Sequence, residues 1–329
     1  MTLGSLIDAV LEAPVVTSFT RIGYDVRSRV AHWRPLGSYD LSGKVVLVTG
    51  ATSGLGLVAA EQFAVCGATV VLLGRDAAKT QRVRDEIAGR TGNDTLTTVV
   101  ADMGDLDQVR RAAAELSGRL DRLDVLVHNA GALAATRSES PQGVEMTVAS
   151  QVVGPFLLTD LLLPLLRVAA PGRVITVSSG GMYASPLRVE DLQMGADYKG
   201  SEQYARAKRA QVTLNEMWAT RVPAEQVVFH AMHPGWADTP GVRESLPTFR
   251  KVVGPLLRSP AQGADTLVWL AADDRPLATS GGFWLDRHQR SIHKLPTTRG
   301  SDTEQQRQAL WAWVAASAGV ADGHLLDGN

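Results

Sequence analysis

The chain has 329 residues, 45% of them hydrophobic, and 33 basic against 34 acidic side chains leave a net charge of -1. That length can bury one large core or two ordinary ones, while the balanced charge gives no electrostatic basis for nucleic-acid binding and makes a small molecule the expected partner. The single cysteine, Cys66, excludes an intrachain disulfide and any cysteine-built metal cluster, and the seven histidines are scattered without metal-ligand spacing, so no metal is expected.

Residues 1 to about 40 read as a helical extension. Leu3, Leu6, Ile7, Val10 and Leu11 make one apolar helical face; Phe19, Ile22, Val26, Val30 and Trp33 make another beside Arg21, Arg27, Arg29 and Arg34. Such faces predict peripheral contact of residues 1–38 with a membrane or a partner subunit, or docking onto the chain's own domain, and they leave a homo-oligomer open. The start, MTLGSLIDAVLEA, lacks the pattern of a secretory signal, and the most apolar segment, Phe156 to Ala170, is broken by Asp160, Pro164 and Arg167. A cytoplasmic chain without a transmembrane span is expected.

From Val45 onward short apolar runs alternate with helical patterns: VVLVT, TVVLL from Thr69, LTTVV from Leu96, VLVHN from Val125, VITVS from Val174 and VVFHAM from Val227. Nearly continuous apolar character marks strands covered on both faces, which predicts an α/β fold, a Rossmann-type doubly wound parallel sheet in one domain over 41–286. Helical spacing falls at Leu106 to Leu116, Glu145 to Arg167 and Tyr204 to Arg221. Residues 287–329 form a second appendage, in which Ser301 and Glu304 fit a capping box opening a last helix through Trp311 and Trp313.

After the first strand stands Thr49-Gly50-Ala51-Thr52-Ser53-Gly54-Leu55-Gly56, leading into a helix. Such a loop lets backbone approach a pyrophosphate at a helix N-terminus, with contacts expected from Thr49, Gly50, Ser53, Gly54, Leu55 and Gly56. Where many dinucleotide folds carry a ribose-binding acid, the second strand ends in Gly74 followed by Arg75. The guanidinium favours NADP(H) through its extra phosphate, while Asp76, one small register shift away, keeps NAD(H) open. Asp102, with Met103 beside it, is placed to meet adenine, and Asn129-Ala130-Gly131 ends the fourth strand where the chain must pass close to the cofactor. A helix cap and a turn are the plainer readings of these two.

The fifth strand delivers Ser178 and Ser179 to the carboxyl edge of the sheet, and Tyr204 and Lys208 share one helix face at i and i+4. An ammonium beside a phenol favours phenolate; a shift of roughly three units corresponds to about 4 kcal/mol. Each pattern is common alone, but their order at consecutive strand ends is not.

On these motifs the chain resembles the short-chain dehydrogenase/reductase family over roughly residues 41 to 286. Through RVITVSSGGM, MHPGWADTPGVR and QGADT followed by WLA it is similar to the retinol-dehydrogenase-like reductases within it. The resemblance implies Tyr204 as general acid/base, Ser179 orienting the reacting oxygen and Lys208 holding the nicotinamide ribose while lowering the tyrosine. It implies that Pro234, Gly235, Trp236 and Thr239 line the nicotinamide, Thr239 at its carboxamide. The family's usual asparagine in the helix after the fourth strand is here Gln151, the same amide on a longer stem, which displaces the expected proton relay. The implied activity is NADP(H)-dependent hydride transfer on a lipophilic alcohol or carbonyl. The alternative is a cofactor-binding regulatory or scaffold protein with weak or no turnover. Pro240 to Pro260, carrying Val242, Leu246, Phe249, Val252, Val253, Leu256 and Leu257, is expected to form a lid over an apolar pocket, or else a surface helix.

Overall fold

The structure is a computed structural model that describes residues 8, 10–12, 15–245 and 247–320. Eight strands make one sheet: β1 Val45–Thr49, β2 Thr69–Gly74, β3 Thr97–Val100, β4 Val125–His128, β5 Gly172–Val177, β6 Val227–Met232, β7 Gly282–Leu285 and β8 His288–Arg290. Their order is β3-β2-β1-β4-β5-β6-β7-β8, parallel throughout except for β8, which runs antiparallel to β7. The order reverses between β1 and β4, the crevice where open α/β sheets take ligands.

The described helices are α1 Val15–Phe19, α2 Arg21–Val30, α3 Gly54–Val65, α4 Ala77–Thr91, α5 Leu106–Arg119, α6 Met146–Ala169, α7 Gly200–Arg221, α8 Pro240–Ser245, α9 Pro247–Val253, α10 Pro260–Ala272, α11 Pro296–Ser301 and α12 Glu304–Ala318. Alternate strand residues bury in opposite directions. Leu47, Val71, Leu126, Val174 and Phe229 pack under α5, α6, α7 and α12. Val46, Val48, Val70, Leu72, Val127 and Ile175 pack under α3, α4 and α10. Both faces are therefore dry, which is why the strands read as continuous apolar runs. α6 is long and apolar enough to cross a membrane, but its Phe156, Leu158, Leu162 and Leu166 are buried in the first of these cores.

Three expectations need correction. The sheet does not stop with the sixth apolar run: β7 and β8, only four and three residues long, add a hairpin whose turn, Asp286-Arg287, takes φ of 54° and 57°. The last helix is capped by Thr303, whose side chain accepts from the Gln306 amide, while the Ser301 hydroxyl accepts from the Leu187 amide instead. The third concerns α2. Docking onto the domain would turn its apolar stripe inward, yet Ile22 and Val30 are exposed; the inward face runs through Gly23, Tyr24 and Arg27. A Cβ on Gly23 would stand 2.4 Å from the Thr17 carbonyl oxygen, and Arg27 is buried against Asp286. This second extension helix is docked on the chain's own domain. Of the first predicted face, Leu3, Leu6 and Ile7 lie outside the described residues.

Candidate active site

The glycine loop forms because two of its residues leave no room for a side chain. Gly50 has φ of 65°, and a Cβ there would meet the Ala130 backbone at 2.8 Å; at Gly56 it would meet Asn129 Nδ2 at 2.3 Å and the Gly50 carbonyl at 2.4 Å. Asn129 Nδ2 donates to the carbonyls of Thr49 (3.0 Å) and Gly50 (3.2 Å), and the Thr49 hydroxyl donates to Val127 O (3.1 Å) while accepting from the amides of Asn129 and Ala130. Thr49 and Asn129 thus stitch the β1 and β4 ends together, and the loop is preformed. Ser53 stands extended before α3 without a side-chain cap, so the first turn of that helix, at Gly54, Leu55 and Gly56, keeps its amides for an anion.

At the end of β2 a Cβ on Gly74 would come within 2.3 Å of Thr80 Oγ1, so no acid fits there without displacing α4. Arg75 is exposed next to it. Asp76 is occupied as the cap of α4, accepting from the Lys79 amide at 2.8 Å. Asp102 accepts from the Gly104 amide at 2.8 Å, and Met103 is buried with its carbonyl against Gly154.

Tyr204 and Lys208 open α7 on one face, with Lys208 Nζ 5.2 Å from the centre of the Tyr204 ring. Nζ donates to Val177 O at 2.9 Å, and Ser178 Oγ donates to the Lys208 carbonyl at 3.1 Å, so the β5 end fixes the helix. Ser179 accepts from the Gly181 amide at 3.2 Å, which leaves its own proton for an oxygen at the site. Burial pushes the half-buried Tyr204 phenol up to about 12, with the Ser179 hydrogen bond opposing it, and burial pushes the Lys208 amine down to about 7. The lysine charge expected to depress the tyrosine is itself weakened by burial in the chain alone.

α6 contains one π turn, Ala149–Val153, with Gln151 in it. Gln151 Nε2 donates to Ala132 O (2.8 Å), and its backbone carbonyl accepts from Gln211 Nε2 (2.6 Å). Gln211 was not singled out in the sequence. A cavity of about 30 Å³ lies behind it, lined in part by His128, Gln151, Thr159 and Gln211.

After β6, Gly235 has φ of 71° and no space for a Cβ, which would meet Arg258 Nε at 2.4 Å and Phe19 O at 2.7 Å. Pro234, Gly235 and Trp236 are half-buried, and Thr239 lies against Gly54, its Cβ 3.6 Å from where a Cβ on that glycine would stand. The segment that follows forms α8, α9 and a short turn, Gly254–Leu256. Ser245 Oγ donates to Leu133 O across the cleft at 3.3 Å, and Phe249 packs edge-on to Trp236 at 5.1 Å. Leu257 is buried, Val242, Phe249, Val253 and Leu256 are half-buried, and Val252 is exposed; Leu246 lies outside the described residues.

The topology thus gathers the glycine loop, Ser179, Tyr204, Lys208 and the Pro234–Thr239 loop at one sheet edge. Arg258, which walls that loop with Phe19, gave no sequence signal because its partners are remote in the chain. Among the described residues no cluster of three metal-ligating side chains occurs.

Residues 44–248 match the family model for short chain dehydrogenase. The chain is 40% identical over 271 residues to human dehydrogenase/reductase SDR family member 12, covering 82% of this chain and 84% of the relative. It is 33% identical to mouse retinol dehydrogenase 14, over 85% and 87% of the two chains. A solved chain from Escherichia coli CFT073, complexed with NADPH, superposes with a TM-score of 0.61 at 26% identity, covering 75% of this chain and 98% of that one.

Proposed function

The chain belongs to the short chain dehydrogenase family of oxidoreductases, and from that membership we propose that it transfers hydride between NADP(H) and a lipophilic alcohol or carbonyl compound. The observation that carries the reading is Tyr204 and Lys208 on one face of α7, opposite Ser179 at the β5 end. The family binds nicotinamide cofactors, and a related structure holds NADPH. NADP(H) over NAD(H) rests on Arg75, with position 74 closed to an acid and Asp76 spent as a cap. The lipophilic substrate rests on the half-buried Phe249, Val242 and Leu256 above the cleft and on relatives named as retinol dehydrogenases.

The backbone at Gly50, Gly54, Leu55 and Gly56 would hold the pyrophosphate, Arg75 the additional phosphate, and Pro234, Gly235, Trp236 and Thr239 the nicotinamide end. The bound cofactor supplies or accepts the hydride. Tyr204, protonated across the neutral range, gives its proton to the carbonyl oxygen in reduction and takes it back in oxidation. Ser179 donates to the same oxygen and fixes its distance from the phenol. Lys208, when protonated, would hold the ribose hydroxyls of the cofactor, and its charge favours the phenolate.

A panel of long apolar and small polar carbonyls, followed at the NADPH absorbance, tests this. Tyr204→Phe should lower kcat by at least a thousandfold while the NADPH Kd stays within threefold. A variant as active as the parent removes Tyr204 from the chemistry. A parent that binds NADPH and reduces nothing in the panel favours the regulatory reading.

A further inference from the structure

Between β6 and α10 the chain makes an excursion away from the sheet, and the two ends of that excursion are tied to each other. The Arg258 amide donates to Trp236 O at 2.8 Å, the Asp238 amide donates to Arg258 O at 2.9 Å, and Ala237 and Arg258 form a parallel bridge. The cofactor loop and the base of the lid are therefore one structural unit, closed at Arg258.

That unit is held from outside the matched family region by the N-terminal extension. Arg258 is buried, and its guanidinium donates to the carbonyls of Phe19 (3.0 Å), Thr20 (3.2 Å), Ser18 (2.8 Å) and Pro234 (3.3 Å). It also grips Asp286 with two bonds of 2.5 and 2.8 Å. Arg27 of α2 takes Asp286 from the other side at 2.7 Å and donates to Ser18 O at 3.1 Å. The Trp236 amide donates to Phe19 O at 2.7 Å. The Phe19 ring lies 4.4 Å from that of His233, and a Cβ on Gly180, next to Ser179, would stand 2.6 Å from it. One short segment, 18–27, thus touches the serine loop, the cofactor loop and the lid base.

Arg27, Asp286 and Arg258 are each 1% exposed, and Arg27 also pairs with the half-buried Asp8 (2.7 Å) and Glu12 (3.1 Å). Dry ion pairs recover little net stability, because desolvation offsets their attraction, but a fully bonded network admits one arrangement. Here the second positive charge is met by Asp8 and Glu12, and the remaining guanidinium donors go to the backbone carbonyls of Ser18, Phe19, Thr20 and Pro234. The arrangement being selected is that of the cofactor loop.

We infer that Arg27, Asp286 and Arg258 are positioning residues that make the N-terminal segment 18–27 a working part of the active site, fixing the Pro234–Thr239 loop and the base of the lid. What that loop holds rests on the proposed function; that the segment fixes it does not.

Amide hydrogen exchange on the full chain without cofactor tests the inference. In Arg27→Gln no carboxylate is stranded, because Asp286 keeps Arg258, Asp8 keeps Arg290 and Glu12 keeps Lys294. The amides of Trp236, Asp238 and Arg258 should exchange at least tenfold faster, with those of β1 and β2 within twofold of the parent. Arg27→Lys, which keeps the charge but not the planar five-donor fork, should fall between. Val83→Ala, a buried truncation in α4 near the β3 edge of the sheet, controls for general destabilisation. Unchanged exchange at Trp236, Asp238 and Arg258, or an acceleration that Val83→Ala reproduces, overturns the inference. A binding pair then separates it from the functional reading: Arg27→Gln should lose about tenfold in NADPH affinity but less than twofold for 2′,5′-ADP, which lacks the nicotinamide. Equal losses for both ligands also overturn it, whereas a parent that binds neither ligand sinks the functional reading and leaves the exchange data to decide the inference.

Discussion

Lys208 is the residue whose state the fold has moved into the working range. Its burial brings the amine down to about 7, so the group is charged below that pH and neutral above it. Only the ammonium can attract a phosphate-bearing ligand and donate three hydrogen bonds to ribose oxygens. NADPH affinity should therefore weaken as pH rises through about 7, and Lys208→Gln should flatten that dependence when Kd is measured from pH 5.5 to 9. A parent curve already flat across that range means the amine does not touch the cofactor. Arg75 is tested by comparison. Arg75→Ala should weaken NADPH by about tenfold or more while NADH changes little, since a charge-assisted bond to phosphate contributes roughly 1.5 to 3 kcal/mol. Equal losses for the two cofactors would rule out the phosphate contact. Both residues were legible in the sequence, Arg75 because it directly follows the β2 end and Lys208 because it stands one helical turn after Tyr204 on the same face of α7. Arg258 was not, because its meaning lies in Asp286, 28 residues on, and in Ser18 to Thr20, about 240 residues back.

At the level of elements, legibility followed length and periodicity. β1, β2, β4 and β6 came out of the sequence at their observed positions because both faces of each are buried and the apolar run has no interruption. β8 reads HQR, half-exposed and polar, and joins the sheet only because a two-residue turn returns it to β7. α2 differs for another reason: periodicity grouped Ile22 and Val30 on one apolar face with its destination open, and the helix docks instead through Gly23, Tyr24 and a buried arginine, Arg27, leaving those two side chains exposed. The segment between β6 and α10 raises an energetic question of the same kind. Its helices α8 and α9 meet at Asp238, which pairs with Arg243 and Arg250 and is held down to about 2 by them. These are surface pairs of modest worth, so substrate contact must come from the apolar side. Phe249→Ala, removing a half-buried ring above the cleft, should cut kcat/KM about fivefold to tenfold for long apolar carbonyls and less than twofold for small polar ones. A uniform loss across both classes would place Phe249 in lid folding and not in the pocket.

For the whole molecule, a group of buried histidines makes the fold sensitive to acid. Three histidines are buried near the β4 and β6 strands, and their bonds define the neutral form. His128 donates through Nε2 to Thr159 at 2.7 Å, since that hydroxyl gives its own proton to Pro155 O. His230 accepts from Trp284 Nε1 at Nδ1 while its Nε2 faces Pro276 O. His233 accepts from the Gly235 amide at Nδ1. A proton at Nδ1 of His230 or His233 would face another donor. Burial accordingly pushes His128 down to about 3 and His230 to about 4, and burial with Arg258, Lys294, Arg290 and Arg27 nearby pushes His233 well below its usual range. The unfolded chain takes up these protons near pH 6.5, so it binds more than the folded chain between that pH and the folded values, and stability must fall as pH drops through the window. His128 and His230 should each withdraw on the order of 3 kcal/mol by pH 4. Carboxylates such as Asp8, held at about 2, contribute only below about 4, so the histidine effect is separable. Thermal melts from pH 7 to 4.5 should show Tm falling steadily, and His230→Gln should lower Tm at pH 7 yet reduce its slope with pH. A slope unchanged by that substitution would assign the acid sensitivity to other groups.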